Sequence, residues 1–465
     1  MLEFVKDILS QPAFLMGLIA FVGLVCLRSP ANKLLTGTIK PILGYLMLGA
    51  GANVIVSQLT PLGQIIEAGF HIKGVVPNNE AIVSIAQKVL GVETMSILLV
   101  GFVFNLLIAK FTKYKYIFLT GHHTFFMACL MSAVLQASGL KGVELVVLGG
   151  FFMGAWSAIS PAIGQRYTKV VSDDDGIAMG HFGSLQYYLA AFIGKRIGNR
   201  HNSFANVQIS DKLGFLRDTT ITTGVVMVFI FLFVCIVAGS DYMQTITDQN
   251  LVVYAILAGL TFAVGVAIVY NGVKLILSDL VPAFQGISEK LIPDSIPAVD
   301  CAVFFTYSQT AVVVGFISSF AGGLIGMGIL GIFSLPLIIP GMVPHFFCGA
   351  TAGIYGDKLG GKVGCIVGAF IGGLLLAFLP AFLLPALGTL GFEATTFSDV
   401  DFIVWGITLS AVIDWFGSYG VYGLAVLILI ALIVPSFIKS VKVVGDTLPY
   451  EECLPKDKEK AQDKD

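Results

Sequence analysis

Long stretches without a single Asp, Glu, Lys or Arg dominate this chain. They cover residues 8–27, 41–66, 116–140, 145–165, 219–240, 249–273, 301–356, 363–392 and 415–438. A helix that spans the hydrocarbon core of a bilayer needs about 20 mostly apolar residues. A charge at the bilayer centre costs roughly 2.5–3.5 kcal/mol on insertion scales. Each run therefore reads as a span, and 301–356 as two. With the shorter run 94–109, the pattern predicts about eleven transmembrane helices. Two further pieces, 176–194 and 402–413, are short or interrupted by Gly and read as re-entrant or interfacial. The strict two-residue alternation of a membrane β-barrel is not the pattern here. The fold class expected is an all-α polytopic membrane protein.

Composition closes off the soluble alternatives. Of 465 residues, 56% are apolar and 12% charged, about half the usual charged share of a soluble domain. A formal net charge of −2 with no block rich in Lys or Arg argues against nucleic acid as a partner. The seven cysteines form no CxxC pair, so they read as small packing residues rather than metal ligands or disulfide partners. The apolar stretch Ile8–Leu27 ends at Arg28 without a small-residue cleavage site, so it reads as a span and not a cleavable signal. No GxxxxGK[ST] segment is present to bind nucleotide phosphates, and no cofactor is expected.

The scarce bases set an orientation. With the N-terminus outside, the segments 28–40, 110–115, 166–217, 274–290, 357–362 and the tail from Lys439 become cytoplasmic. Of the 27 Lys and Arg residues, only Lys6, Lys73, Lys88 and Lys141 then lie outside. The segment 389–401, with Glu393, Asp399 and Asp401 and no base, is also placed outside. This is the positive-inside asymmetry, and it predicts an N-out, C-in chain. The charged stretch Glu451–Asp465 cannot bury a core and reads as a disordered cytosolic tail.

The halves resemble each other. "TIKPILGYL" near Lys40 matches "GVKLILSDL" near Lys274, "LTGHHTFF" from Leu119 matches "IPGMVPHFF" from Ile339, and "SDDDGIAMG" from Ser172 matches "SDVDFIVWG" from Ser398. Their order is the same in both halves, which points to an internal duplication, common in carriers whose site lies at the repeat interface. The expected division is 8–218 for the first half, 219–240 for a linking transmembrane helix, 249–438 for the second half and 439–465 for the tail.

Polar groups inside these runs need a reason to be there. His122, His123, His181 and His345 are four of the chain's six histidines, and an imidazole can donate and accept at once, which suits sugar hydroxyls. A histidine bonded to a neighbouring protein group is the structural alternative, favoured for His345. "IPDSIPAVDCAVFF" reads as a helix capped by Asp294 or Ser295 with Pro297 in its first turn, leaving Asp300 on the second turn facing inward. "VPNNEA" at 76–81 looks like its counterpart, with Asn78 or Asn79 as cap and Glu80 opening the next helix. Such broken-helix N-termini offer free N–H groups to a substrate.

These residues carry a family resemblance. "GTIKPILGYLMLGAG" (37–51), "LTGH" (119–122), "IAMGH" (177–181), "FQGISEKLIP" (284–293), "AVDCAV" and "IIPGMVPHFF" (338–347) resemble the ascorbate-type IIC permeases of the bacterial phosphoenolpyruvate-dependent phosphotransferase system, over essentially the whole chain. The resemblance implies a homodimeric inner-membrane carrier with a scaffold domain and a mobile core domain containing re-entrant segments. The core would move as an elevator. Separate cytosolic IIB and IIA proteins would phosphorylate the emerging substrate, L-ascorbate or a related sugar acid, so the chain itself is a transporter and not an enzyme. It also implies substrate positions at Asn79 and Glu80, at His122, His123, Thr124, Phe125 and Phe126, at His181 and Phe182, and at Asp300. The chain departs from the family pattern in carrying Phe126 and Phe182 where glutamines are expected, and Asn79–Glu80 where a Thr–Tyr pair is. His123, Thr124 or Gln186 could replace the missing amides. The basic stretch Lys195–Arg217 is a candidate surface for IIB. The rival readings are an ion-coupled secondary transporter, with Asp300 and the histidines relaying protons, and a channel.

Overall fold

The computed structural model describes residues 12–71, 74–173, 176–204, 207, 218–292, 294–392 and 394–437. The tail expected over 439–465 lies outside the described residues, as does most of the basic stretch beyond Phe204.

The apolar runs become helices. The first half holds α1 (Pro12–Cys26), α2 (Ala31–Phe70), α3 (Asn79–Phe111), α4 (Gly121–Ala137), α5 (Gly142–Val171) and α6 (Ser184–Ile197). The linking α7 (Thr219–Ala238) and short α8 (Ser240–Ile246) lead to α9 (Leu251–Leu291), α10 (Gln309–Ile332), α11 (Met342–Leu383) and α12 (Val400–Phe437). Two 3-10 segments, Cys301–Tyr307 and Leu384–Phe392, complete the helical structure described. The chain is an all-α polytopic membrane protein.

Among the described residues, seven helices are long and apolar enough to cross a membrane, or up to eight if the pair Thr223–Ala238 and Ser240–Ile246, bent by 117°, forms one span. The uncharged runs predicted about eleven. The difference arises because a run is not always one helix. The run 116–140 divides into a strand and the 17-residue α4, and the start of the run 8–27 lies outside the described residues. At 1.5 Å per residue a helix of α4's length falls short of a ~30 Å hydrocarbon layer. The 402–413 piece lies inside α12, which breaks at Gly417 (φ 64°, ψ −160°), and α11 breaks in the same way at Gly361 (φ 63°, ψ −158°). Only glycine adopts such angles without strain.

Where helices break inside an apolar environment, backbone N–H and C=O groups need partners. Among the described residues, six short strands supply them: β1 (Gly74–Pro77), β2 (Tyr116–Phe118), β3 (Ala178–Met179), β4 (Ile296–Val299), β5 (Leu337–Ile338) and β6 (Thr395–Thr396). They form two three-stranded parallel sheets, ordered β5-β1-β6 and β2-β4-β3. The first half's β1 lies between two strands of the second half, and the second half's β4 lies between two strands of the first. That exchange is what a duplicated chain produces when its copies interlock.

The strands also correct the repeat register. Gly74 to Ile296 is an offset of 222, Tyr116 to Leu337 of 221 and Ala178 to Thr395 of 217. The match of Ser172 to Ser398, offset 226, is not structural: Ser172 ends α5, whereas Ser398 follows β6. The expected helix around Pro297 is also absent. Residues 296–299 are β4, central in its sheet, and Asp300 itself is the N-cap of the 3-10 segment, accepting from the Ala302 N–H at 2.9 Å. The residue before Pro297 is pushed towards extended backbone by the ring, and the sheet uses that preference. Asn78 caps α3 in the equivalent place, accepting from the Ala81 N–H at 2.8 Å.

Packing divides the helices into groups. α2 lies along α9, which also packs on α7, and α1 lies on α2. α11 packs along α10 and α6, while α3 packs along α5 and α4. The two sheets tie these last two groups together.

Strand packing leaves no room for a side chain at Gly180. A Cβ on Gly180 would stand 2.4 Å from the carbonyl oxygen of Ala298, beside the bond from Gly180 N–H to the Val299 carbonyl at 2.7 Å. Gly180→Ala is expected to destabilise the protein by about 1–3 kcal/mol, seen as a lower melting temperature of the detergent-purified protein. An unchanged melting curve would show that β3 and β4 are not so closely apposed.

Candidate functional site

Each strand hands the chain to a helix start, so six strand ends bring short polar loops together. β1 leads to Asn78–Glu80, β2 to Thr120–His123, β3 to Gly180–Phe182, β4 to Asp300, β5 to Gly341–Val343 and β6 to Ser398–Asp401. Between them lies a cavity of about 180 Å³. Its polar wall is Asn79, Glu80, His122, His123, His181, Asp300, Asp399 and Lys274. Its apolar wall is Ala302, Phe126, Val343, Pro344 and Phe347. A volume below that of drug-sized pockets suits a ligand of about monosaccharide size.

The imidazoles are oriented by backbone donors. Phe182 N–H donates to His123 Nδ1 at 3.2 Å, and Gly183 N–H donates to His181 Nδ1 at 3.1 Å. An N–H group cannot accept, so both Nδ1 atoms carry lone pairs and the neutral rings hold their proton on Nε2. The Tyr187 hydroxyl at 2.7 Å must then donate to His181 Nδ1 as well. The His123 and His181 rings are 3.5 Å apart between centroids, and His123 stacks on Phe402. His122 Nε2 lies 3.3 Å from Asp300 Oδ2 at the partly exposed side of the cavity.

Asp399 faces both buried histidines, its Oδ2 standing 3.8 Å from His123 Nε2 and 3.8 Å from His181 Nδ1. The second approach joins two acceptors and is no hydrogen bond. The other carboxylate oxygen accepts from Asn79 Nδ2 at 2.8 Å and from the Ser398 hydroxyl at 2.8 Å. Asn79 in turn accepts from Ser398 N–H at 2.9 Å. The amide of Asn79 is thus committed to holding Asp399 in place.

His123, His181 and Asp399 are close enough to hold a metal ion by position alone, as are His181, Asp300 and Cys301. The donor chemistry of the first set does not fit one. The ring-plane lone pair of His181 Nδ1 already receives two donors, and a metal would have to displace them.

A second carboxylate works behind the site. Asp401 is fully buried and accepts from Trp156 Nε1 at 3.0 Å, the Ser184 hydroxyl at 2.7 Å and Leu185 N–H at 3.0 Å. It caps α6 from a distant part of the chain, and so fixes the turn that carries His181.

Of the residues expected at the site, Asn79, Glu80, His122, His123, Phe126, His181 and Asp300 line the cavity. Thr124, Phe125 and Phe182 do not. The Thr124 hydroxyl turns back to the Gly121 carbonyl at 2.8 Å, as helical threonines do when they face a preceding turn. Phe125 packs edge-on against Tyr45. Phe182 stacks on Phe118 at 4.4 Å and contributes through its backbone, donating to His123 and accepting from Asp401 N–H. His345 bonds Ser319 at 2.9 Å outside the cavity, the structural alternative. Gln186, offered as a replacement amide, is buried outside the cavity wall.

Asp399 and Lys274 were missed. Charge counting placed Asp399 and Asp401 in an external segment and Lys274 in a cytoplasmic one. Both aspartates are buried at the start of α12, and Lys274 lies within α9. With the corrected repeat offset, "SDVDF" falls opposite the segment carrying His181, a signal that would have marked Asp399.

A family model for the PTS system sugar-specific permease component matches residues 7–401. The chain belongs to this family. A curated relative from Mycoplasma pneumoniae, an ascorbate-specific PTS system EIIC component, is 25% identical over 422 residues. The match takes in 77% of this chain and 62% of the relative, so the chain spans less than two thirds of that protein's length. Membership agrees with the multi-pass helical fold.

Asp401→Ala orphans three donors, one buried and two partly buried, and is expected to cost about 2–3 kcal/mol in stability. Asp401→Asn, which keeps an acceptor, should fall between it and the parent in chemical denaturation. Parent-like stability of Asp401→Ala would remove Asp401 from its capping role.

Proposed function

We propose that this protein is the IIC permease of a phosphotransferase system and carries L-ascorbate or a closely related sugar acid across the bacterial inner membrane. The observation that carries this reading is the cavity at the strand ends. Sugar hydroxyls both donate and accept. Carboxylates of Glu80, Asp300 and Asp399 can only accept when ionised, and the Nε2–H groups of His123 and His181 can only donate. The polar wall therefore offers both halves of what a hydroxylated ring requires, while Phe126, Pro344 and Phe347 offer an apolar face for its C–H groups. Family membership and the ascorbate-specific relative support the substrate class.

In this reading the helices α1, α2, α7 and α9 form the dimerising scaffold. The remaining helices form a core that moves as an elevator, with the N-terminus outside and the C-terminus in the cytoplasm. A IIB protein, recharged by a IIA protein, phosphorylates the sugar as it emerges, and trapping of the product drives uptake. A second reading is a proton-coupled carrier, favoured by one observation: Glu80 Oε2 is buried at the cavity without a hydrogen-bond partner among the described residues.

Labelled ascorbate should bind the purified protein, with competition by other sugar acids exceeding that by pentitols or hexitols. Asp300→Asn keeps the cap on Ala302, and His181→Asn keeps an acceptor near Nδ1 but lacks the Nε2–H. Each is expected to weaken binding roughly ten- to a hundredfold without lowering the melting temperature. Unchanged binding in both would discard the site. Vesicles containing this chain alone should equilibrate substrate, with accumulation requiring the phosphorylating proteins. Accumulation driven by a proton gradient alone would favour the second reading.

A further inference from the structure

One charged side chain in the cavity belongs to the other packing group. Lys274 lies on α9, which packs along α2 and α7, and among the described residues no other residue of α9 lines the cavity. The remaining formally charged lining residues are all acids: Glu80, Asp300 and Asp399. Two of these acids are engaged by the protein. Asp399 accepts from Asn79 and Ser398, while Asp300 accepts from Ala302 N–H and faces His122. Such a wall suits neutral hydroxyls and repels an anion. Against such a wall a full cation is the strongest counterweight for an anionic group, and among the described residues Lys274 is the one Lys or Arg on it.

We infer that Lys274 is the specificity-determining residue for substrate charge, holding the anionic edge of a monoanionic sugar acid while the acids and histidines take its hydroxyls. This rests on the sugar-permease reading and refines it. A point-charge ammonium on a flexible stem suits an anion whose charge is spread over two oxygens, and a guanidinium could serve in its place. Because the cation arrives on α9 and the other polar groups on the strand-end loops, the anion site is complete only while the two packing groups are apposed.

The test compares charged and neutral ligands on the same purified, full-length protein. Lys274→Met is expected to lose roughly ten- to a hundredfold in affinity for ascorbate, with affinity for a neutral polyol unchanged or improved. Lys274→Arg should retain most of the ascorbate affinity, and the parent's preference for ascorbate should weaken as salt is raised. A purely structural lysine would lower both affinities together, and that result, or parent-like ascorbate binding by Lys274→Met, overturns the inference. Melting curves of both variants separate misfolding from lost recognition. If the parent itself binds no sugar acid, the permease reading for sugar acids fails first, and independently of Lys274.

Discussion

A helix that stops inside an apolar medium leaves backbone donors and acceptors without water, and the rest of this fold follows from how they are paired. The chain breaks where Pro77, Pro297 and the Gly-containing loops disfavour continuous helix. At each break a few extended residues find parallel partners from the other half of the molecule. Because strands of one half flank the central strand of the other, neither half can form its sheet alone. The pairing also aims six helix starts at one region. The site is therefore a consequence of satisfying the backbone, and its polar side chains occupy loops that the sheets hold in place.

The same economy of donors and acceptors sets the chemistry of the cavity. Backbone N–H groups of Phe182 and Gly183 fix which nitrogen of His123 and His181 carries the proton. Asn79 and Ser398 hold Asp399, and Asp401 holds the turn before α6. Hydrogen bonds within the protein thus help decide what the cavity presents. A rigid arrangement of acceptors and donors loses less entropy on binding than one that must be ordered by the substrate.

Much of the site was legible before any coordinates. Ionisable groups in apolar runs are costly, and that argument alone marked His122, His123, His181 and Asp300, all of which line the cavity. For His345 the structural alternative was the favoured one, and Ser319 is its partner outside the cavity. Asp399 and Lys274 were missed because both stand at the edges of charged segments, where a sequence gives no sign that Asp399 is buried or that Lys274 borders a cavity. Thr124, Phe125 and Phe182 were expected from the family resemblance alone, and in this chain the Thr124 hydroxyl bonds the Gly121 carbonyl while the two rings pack against Tyr45 and Phe118. The helix around Pro297 was misread because a Ser-x-Pro pattern fits a helix start as well as a strand. Only the pairing of β4 between β2 and β3 separates the two.

What the sequence by itself determined is the class of the molecule: uncharged runs of spanning length require a helical membrane protein, and the repeated segments require two related halves. Run lengths left the number of spans open, because a run can hold a strand and a short helix as readily as one long helix. Tertiary structure alone decided which polar residues meet. Asn79 and Asp399 are 320 positions apart yet hydrogen-bonded, and Lys274 reaches the same cavity from a different helix group. Such contacts come from the interlocking of the halves, a long-range arrangement that no local pattern of residues records.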